Sequence, residues 1–206
     1  MTDPSDDDLF PSIRDVTGRG LLTPLIEEDI WNRFGKKCAI MVLDSSGFTL
    51  HTRESGIINY LSCIIRLRDI IRPELARNGC TAMRFHSDDV FAEFTTADEA
   101  LAAALDVHRA VRAGGIEVRS GCGLGVCTGI GYGEVLCSVS EGVFGDQMNL
   151  ASKLGEDLAK ENEILLTSEA YQAIARESRP GFIRRRTTIS GVELSYYLTR
   201  VDENTE

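Results

Sequence analysis

A chain of 206 residues, 43% of them hydrophobic and 26% charged, can close one sizeable core and carry short appendages. Its net charge of −10 is concentrated at the two ends (Asp3 to Asp8, Asp202 to Glu206), which argues against nucleic acid or an anionic membrane surface as a partner. No apolar run approaches the ~20 residues of a membrane span, and the acidic start lacks the basic-then-apolar order of a secretory signal, so a cytoplasmic location is expected. The six cysteines form no C-x-x-C pair and no zinc spacing, and they read as reduced, buried small hydrophobes.

Residues 1–22 read as a mobile acidic lead, and 23–36 as an N-terminal helix with Thr23 as N-cap and Pro24 at the first position. In that helix Ile26, Ile30, Trp31 and Phe34 form a stripe suited to docking. The run Ala39 to Leu43 has the unbroken apolar character of a strand covered on both faces, and it delivers Asp44 at its end. A carboxylate at such a position is costly without a cation beside it. The following Ser45 to Thr49, turning at Gly47, can aim successive backbone N–H groups at an anion. A metal-holding carboxylate beside a phosphate-sized cradle is therefore the first expectation.

A helical stretch over about 53–78 follows; Pro73 is expected to break or kink it, and Asn78-Gly79 closes it. Short strands near 80–86 and 90–94 flank Ser87-Asp88-Asp89, with Asp89 read as a solvated turn residue. Thr96 to Glu99 is a capping box opening an alanine-rich helix to about 112. Strands at about 116–127 and 133–139 are expected to flank a turn at Thr128 to Gly133, with Cys127 and Cys137 facing each other across the hairpin. A helix over 146–160, a strand at 163–166, a helix from Thr167-Ser168 to about 176 and strands near 181–187 and 193–200 complete the chain, before an acidic tail at 201–206. The order opens with βαββαβ: an α+β, ferredoxin-like fold, a mostly antiparallel sheet with helices on one face plus C-terminal additions. His51, His86 and His108 have no partners at ligand spacing, and Arg184 to Arg186 read as a solvated strand edge.

Over 37–200 the chain resembles the catalytic domain of class III nucleotidyl cyclases. Asp44-Ser45-Ser46-Gly47-Phe48-Thr49 matches the family's first-strand motif, and Ser87 to Phe94 its second-aspartate hairpin. Leu124 to Gly129 resembles its Gly-Ile-His-Thr-Gly strand, and Phe144 to Leu154 its Gly-Asp-x-Val-Asn-x-Ala-x-Arg helix. The resemblance implies the cyclase fold and an in-line attack of the ribose 3′-oxygen on the α-phosphorus of a purine nucleoside triphosphate, ATP in preference to GTP, with Mg²⁺ or Mn²⁺. It implies Asp44 and Asp88 as metal ligands, and the amides of Ser45, Gly47, Phe48 and Thr49 as the phosphate cradle. Arg84 falls at a base-contacting position opposite Gly142, with Glu141 adjacent. Asn149 would orient the ribose and Lys153 meet the charge on the α-phosphate, both from the other subunit of a homodimer. The chain departs from the family at three points: Lys153 stands where it has Arg, Gly123 where it has a phosphate-binding Arg, and Ser190 where it has a phosphate-binding Lys. These departures define the second expectation, a catalytically silent cyclase-fold module for dimerisation or nucleotide binding.

Overall fold

The centre of the sheet is β1 (Gly35–Ser45), whose residues 38–43 are buried on both faces, as their unbroken apolar run requires. The computed structural model describes residues 8–20, 22–46, 56–119, 122–189 and 192–201. Beside β1 lie β3 (Asp89–Phe94) and β6 (Val126–Ser138), and beyond β3 the edge strand β2 (Ala82–His86). The short pair β4 (Glu117–Arg119) and β5 (Cys122–Gly123) forms a separate ribbon. With β7 (Gly142–Phe144), β8 (Glu163–Thr167), β9 (Ile183–Ile189) and β10 (Val192–Arg200), the main sheet has eight strands in the order β2-β3-β1-β6-β8-β10-β9, with β7 on β6. Pairing is antiparallel throughout except between β6 and β8.

Helices α3 (Ile57–Arg77) and α4 (Ala97–Gly114) cover one face, over Ala39, Met41, Leu43, Ala92 and Phe94. The capping box that starts α4 is formed in both directions between Thr96 and Glu99. Buried Ala100, Ala103 and Ala104 let α4 lie close to its neighbours. With its two helices on one face, β1-α3-β2-β3-α4-β6 is the expected α+β core. The small helix α6 (Ser168–Ala173) follows β8. No helix among the described residues is long and apolar enough to cross a membrane.

Three local expectations are corrected. Pro73 does not break α3, which runs unbroken from Ile57 to Arg77. The proline, which has no N–H for the Asp69 carbonyl, sits on the exposed side, as does Asp69, while buried Ile71 and Leu75 hold the helix down on either side. Thr128 to Gly133 is not a turn but the middle of a 13-residue strand, in register with β1 from Ser45↔Val126 to Gly35↔Leu136. Cys127 and Cys137 therefore lie on the same strand, both as free thiols. Finally, inside the segment expected to be a mobile lead, Leu9–Gly18 forms helix α1, capped by Asp8 and anchored by buried Leu9 and a Phe10–Phe144 ring contact at 5.1 Å. It is followed by α2 (Pro24–Phe34), with Thr23 and Pro24 in the capping roles expected of them.

The glycines of β6 alternate, so all three face the same side, and there helix α5 (Asp146–Ser152) and the π-helix Lys153–Leu158 lie almost against the strand. A Cβ on Gly129 would fall 2.1 Å from the Ala151 carbonyl oxygen, and one on Gly131 2.4 Å from that of Gln147. Gln147 fastens this layer by accepting from the Tyr132 amide (3.2 Å) and the Thr167 hydroxyl (2.8 Å). The second face of the sheet is thus also covered, with Ala151 of α5 in one cluster with Cys38, Ile40, Val42 and Val135.

Candidate functional site

Leu43 pairs with Val90, so β1 delivers Asp44 level with the turn between β2 and β3. That turn is tight enough to put Ser87 at φ 52°, and Arg68 of α3 donates to the Ser87 carbonyl. As a result Asp44, Asp88 and Asp89, all half-buried, each present a carboxylate oxygen within 4.8 Å of the others. Asp89 is thus no solvated turn residue: it begins β3 and is the third member of the cluster. The Oδ2 atom of Asp88 accepts from the Ser45 hydroxyl (3.1 Å) and from the buried Tyr60 hydroxyl (3.3 Å), which are themselves 2.8 Å apart. Tyr60 comes from α3, and nothing in its local sequence marks it as a partner of the turn.

Three carboxylates so close, partly withdrawn from water, oppose one another's ionisation. Burial first, then the charges of Asp89 and Asp88, push Asp44 up to about 7. Asp89 is raised for the same reasons, burial and then Asp88. Glu156, on the π-helix, is raised by burial and then by Asp89, so the glycine-packed layer brings a fourth carboxylate into the electrostatic neighbourhood. The arrangement relaxes if a cation joins it, and an all-oxygen donor set suits a hard divalent ion.

The residues expected to cradle phosphate divide. Ser45 is buried within the β1–β6 ladder, and its hydroxyl is directed to Asp88. The Ser46 amide donates to the Gly125 carbonyl at 3.0 Å, so it extends the sheet rather than facing an anion. Gly47, Phe48 and Thr49 lie outside the described residues, as does Ser190.

Arg84 stands on β2, four residues before Asp88. Its Nη2 donates to the carbonyls of Ser138 (3.1 Å) and Val139 (2.7 Å), and a Cβ on Gly142 would lie 2.9 Å from its Nη1. The two positions expected to read the base therefore touch, beside a cleft of about 150 Å³ that Phe91, Glu141 and Met148 also line.

No family model matches the sequence, and no curated protein matches it. Solved structures do match. The catalytic core of a rhodopsin-guanylyl cyclase with converted specificity, in complex with ATPαS, is 18% identical with a TM-score of 0.67, over 81% of this chain and 98% of that one. An adenylate/guanylate cyclase/hydrolase from Silicibacter pomeroyi is 20% identical with a TM-score of 0.67, over 82% and 98%. Adenylate cyclases from Trypanosoma brucei in their monomeric state give 18% and 0.64, over 82% and 92%. The chain has the class III nucleotidyl cyclase fold.

Within this cyclase fold Asn149 and Lys153 lie along the glycine-packed layer. Asn149 is exposed on α5, and Lys153 is half-buried where the π-helix begins. Gly123 lies apart from that layer in β5, where a Cβ would make only an ordinary contact, 3.9 Å from the Ile116 carbonyl oxygen. Sequence reasoning missed Asp89, Tyr60 and Glu156. Only Asp89 had a local sign, its adjacency to Asp88.

Proposed function

We propose that this chain is a nucleotidyl cyclase that converts ATP, in preference to GTP, to the 3′,5′-cyclic nucleotide and pyrophosphate as a homodimer. The observation that carries this reading is the meeting of Asp44 and Asp88, far apart in sequence, at one end of the central strand of a cyclase fold. Asp44 and Asp88 hold Mg²⁺ or Mn²⁺, with Asp89 beside them. Bound there, a divalent ion supplies positive charge to the attacking 3′-oxygen and to the triphosphate. The reaction forms the bond from O3′ to the α-phosphorus, breaks the one to the β-phosphate oxygen, and releases the 3′ proton to solvent. The Ser45 and Tyr60 hydroxyls fix Asp88 by one carboxylate oxygen and leave the other to the cluster. The amides of Gly47, Phe48 and Thr49 bind the β- and γ-phosphates, and Arg84, which can only donate, meets N1 of adenine. From the partner subunit, Asn149 orients the ribose and Lys153 meets the charge developing at the α-phosphate.

The test is incubation of the purified chain with ATP or GTP and Mn²⁺, with chromatographic detection of cyclic nucleotide. Wild type yields product and Asp44→Ala does not. Mixing inactive Asp44→Ala with inactive Lys153→Ala restores product, because one of the two sites in a mixed dimer then has both residues. Absence of cyclic product from wild type with either nucleotide refutes the proposal. A second reading, a silent nucleotide-binding module, is favoured by Gly123 and Lys153, where a fork-shaped guanidinium is missing. Its signature is metal-dependent nucleotide binding without turnover.

A further inference from the structure

We infer that Asp8 is a positioning residue for Arg84, so that the N-terminal helix sets the base-contacting edge of the nucleotide site through the turn between β6 and β7. Asp8 is only 6% exposed. Its Oδ1 accepts from the Val139 amide (2.9 Å) and the Leu9 amide (2.8 Å). Its Oδ2 accepts from the Ser140 amide (3.0 Å), the Ser140 hydroxyl (2.6 Å) and the Ser138 hydroxyl (2.8 Å). These bonds, the Ser140 hydroxyl first, outweigh burial and hold the carboxyl far below the usual aspartate range.

A peptide group is planar and trans, so its N–H and C=O point in opposite directions. The Val139 N–H shares its peptide with the Ser138 carbonyl, and the Ser140 N–H shares its peptide with the Val139 carbonyl. Both N–H groups face Asp8, and both carbonyls accept from Arg84 Nη2. A carboxylate and a guanidinium thus grip the same two peptides from opposite sides, and each strengthens the other's bonds by polarising the groups between them. Moving or neutralising Asp8 frees those peptides to rotate and releases the guanidinium from its place against Gly142. The Ser138 hydroxyl stiffens the turn further by accepting the Glu141 amide at 3.0 Å. An input that shifts α1 therefore reaches the nucleotide edge through two peptide planes.

The effect on nucleotide rests on Arg84 contacting the base, so the experiment has one arm that does not depend on turnover. In ¹⁵N NMR of the full chain, the Arg84 guanidinium signals, assigned by their loss in Arg84→Lys, are resolved and slowly exchanging in wild type. In Asp8→Asn they broaden or move to free-arginine positions. Ser140→Ala, which removes the hydroxyl bond and leaves the helix in place, moves them less and in the same direction. In the kinetic arm, Asp8→Asn raises KM for ATP about 5- to 10-fold with kcat within 2-fold, and Asp8→Asn/Arg84→Lys is no worse than Arg84→Lys alone, as coupled residues require. Unchanged Arg84 signals in both Asp8→Asn and Ser140→Ala overturn the inference, as does additivity in the double variant. An absence of cyclic product defeats the proposed activity and leaves the NMR arm to decide the relay.

Discussion

Asp44→Asn separates the cost of crowding carboxylates from the use made of them. In the metal-free protein Asp44 titrates near 7, against 3.8 for an ordinary aspartate. Between those values the folded chain holds a proton that the unfolded chain has released, so stability falls as pH rises through this window and the loss is complete above 7. At 1.36 kcal/mol per pH unit the interval corresponds to about 4 kcal/mol. Asp44 is only half-buried and screened by solvent, which brings the expected effect down to roughly 1–2 kcal/mol. An asparagine fills the same space without charge. In EDTA at pH 8, Asp44→Asn should therefore be more stable than wild type by roughly 1–2 kcal/mol, or about 2–8 °C in Tm. At pH 5 only about a third of that window has been crossed, so the difference should shrink to roughly a third of its value at pH 8. Urea denaturation at both pH values is the assay. A variant less stable than wild type at pH 8, or a difference that does not change with pH, refutes the electrostatic reasoning. Added Mn²⁺ should reverse the order at pH 8, since a ligand bound only by the folded wild type stabilises it by mass action.

Two further predictions concern the layers on either side of the sheet. His108 is 1% exposed, with Nε2 2.9 Å from the Thr128 hydroxyl, and burial followed by the Arg112 charge lowers it to about 4. The unfolded chain gains a proton near 6.5 that the folded chain refuses, so acidification from pH 6.5 to 4 should remove on the order of 2–3 kcal/mol of stability, and the same urea series on His108→Gln should show this slope flattened. Gly129→Ala should cost about 2 kcal/mol or more, because the new methyl meets backbone at 2.1 Å (Ala151 oxygen) and 2.5 Å (Gly155 nitrogen), whereas Gly133→Ala, which meets the movable Gln147 side chain at 2.8 Å, should cost about 1 kcal/mol or less; equal urea midpoints for the two variants would remove the steric account.

The parts of this molecule legible in its sequence are those whose cause is local. The unbroken run before Asp44 specifies a central strand because only such a strand is dry on both faces, and Thr96 with Glu99 starts α4 because both partners lie within one turn. Asp44 and Asp88 could be brought together on paper because each stands at a strand end of a recognisable β-α-β-β order. Tyr60 and Asp8 could not, since each acts on a turn whose position relative to it is decided by the packing of whole layers. Pro73 misleads in the opposite sense, because its local cost is real but falls on the wet side of a helix pinned by Ile71 and Leu75. The glycines of Thr128 to Gly133 carry the sharpest lesson. Glycine serves a turn through its backbone freedom and a close-packed strand through its missing side chain, and a single letter cannot say which. Their spacing can: Gly129, Gly131 and Gly133 recur at the period of a strand face, which a turn has no reason to keep. That period predicts something broad lying against the strand, and what lies there is the helical layer of α5 and the π-helix, which carries Asn149, Lys153 and Glu156.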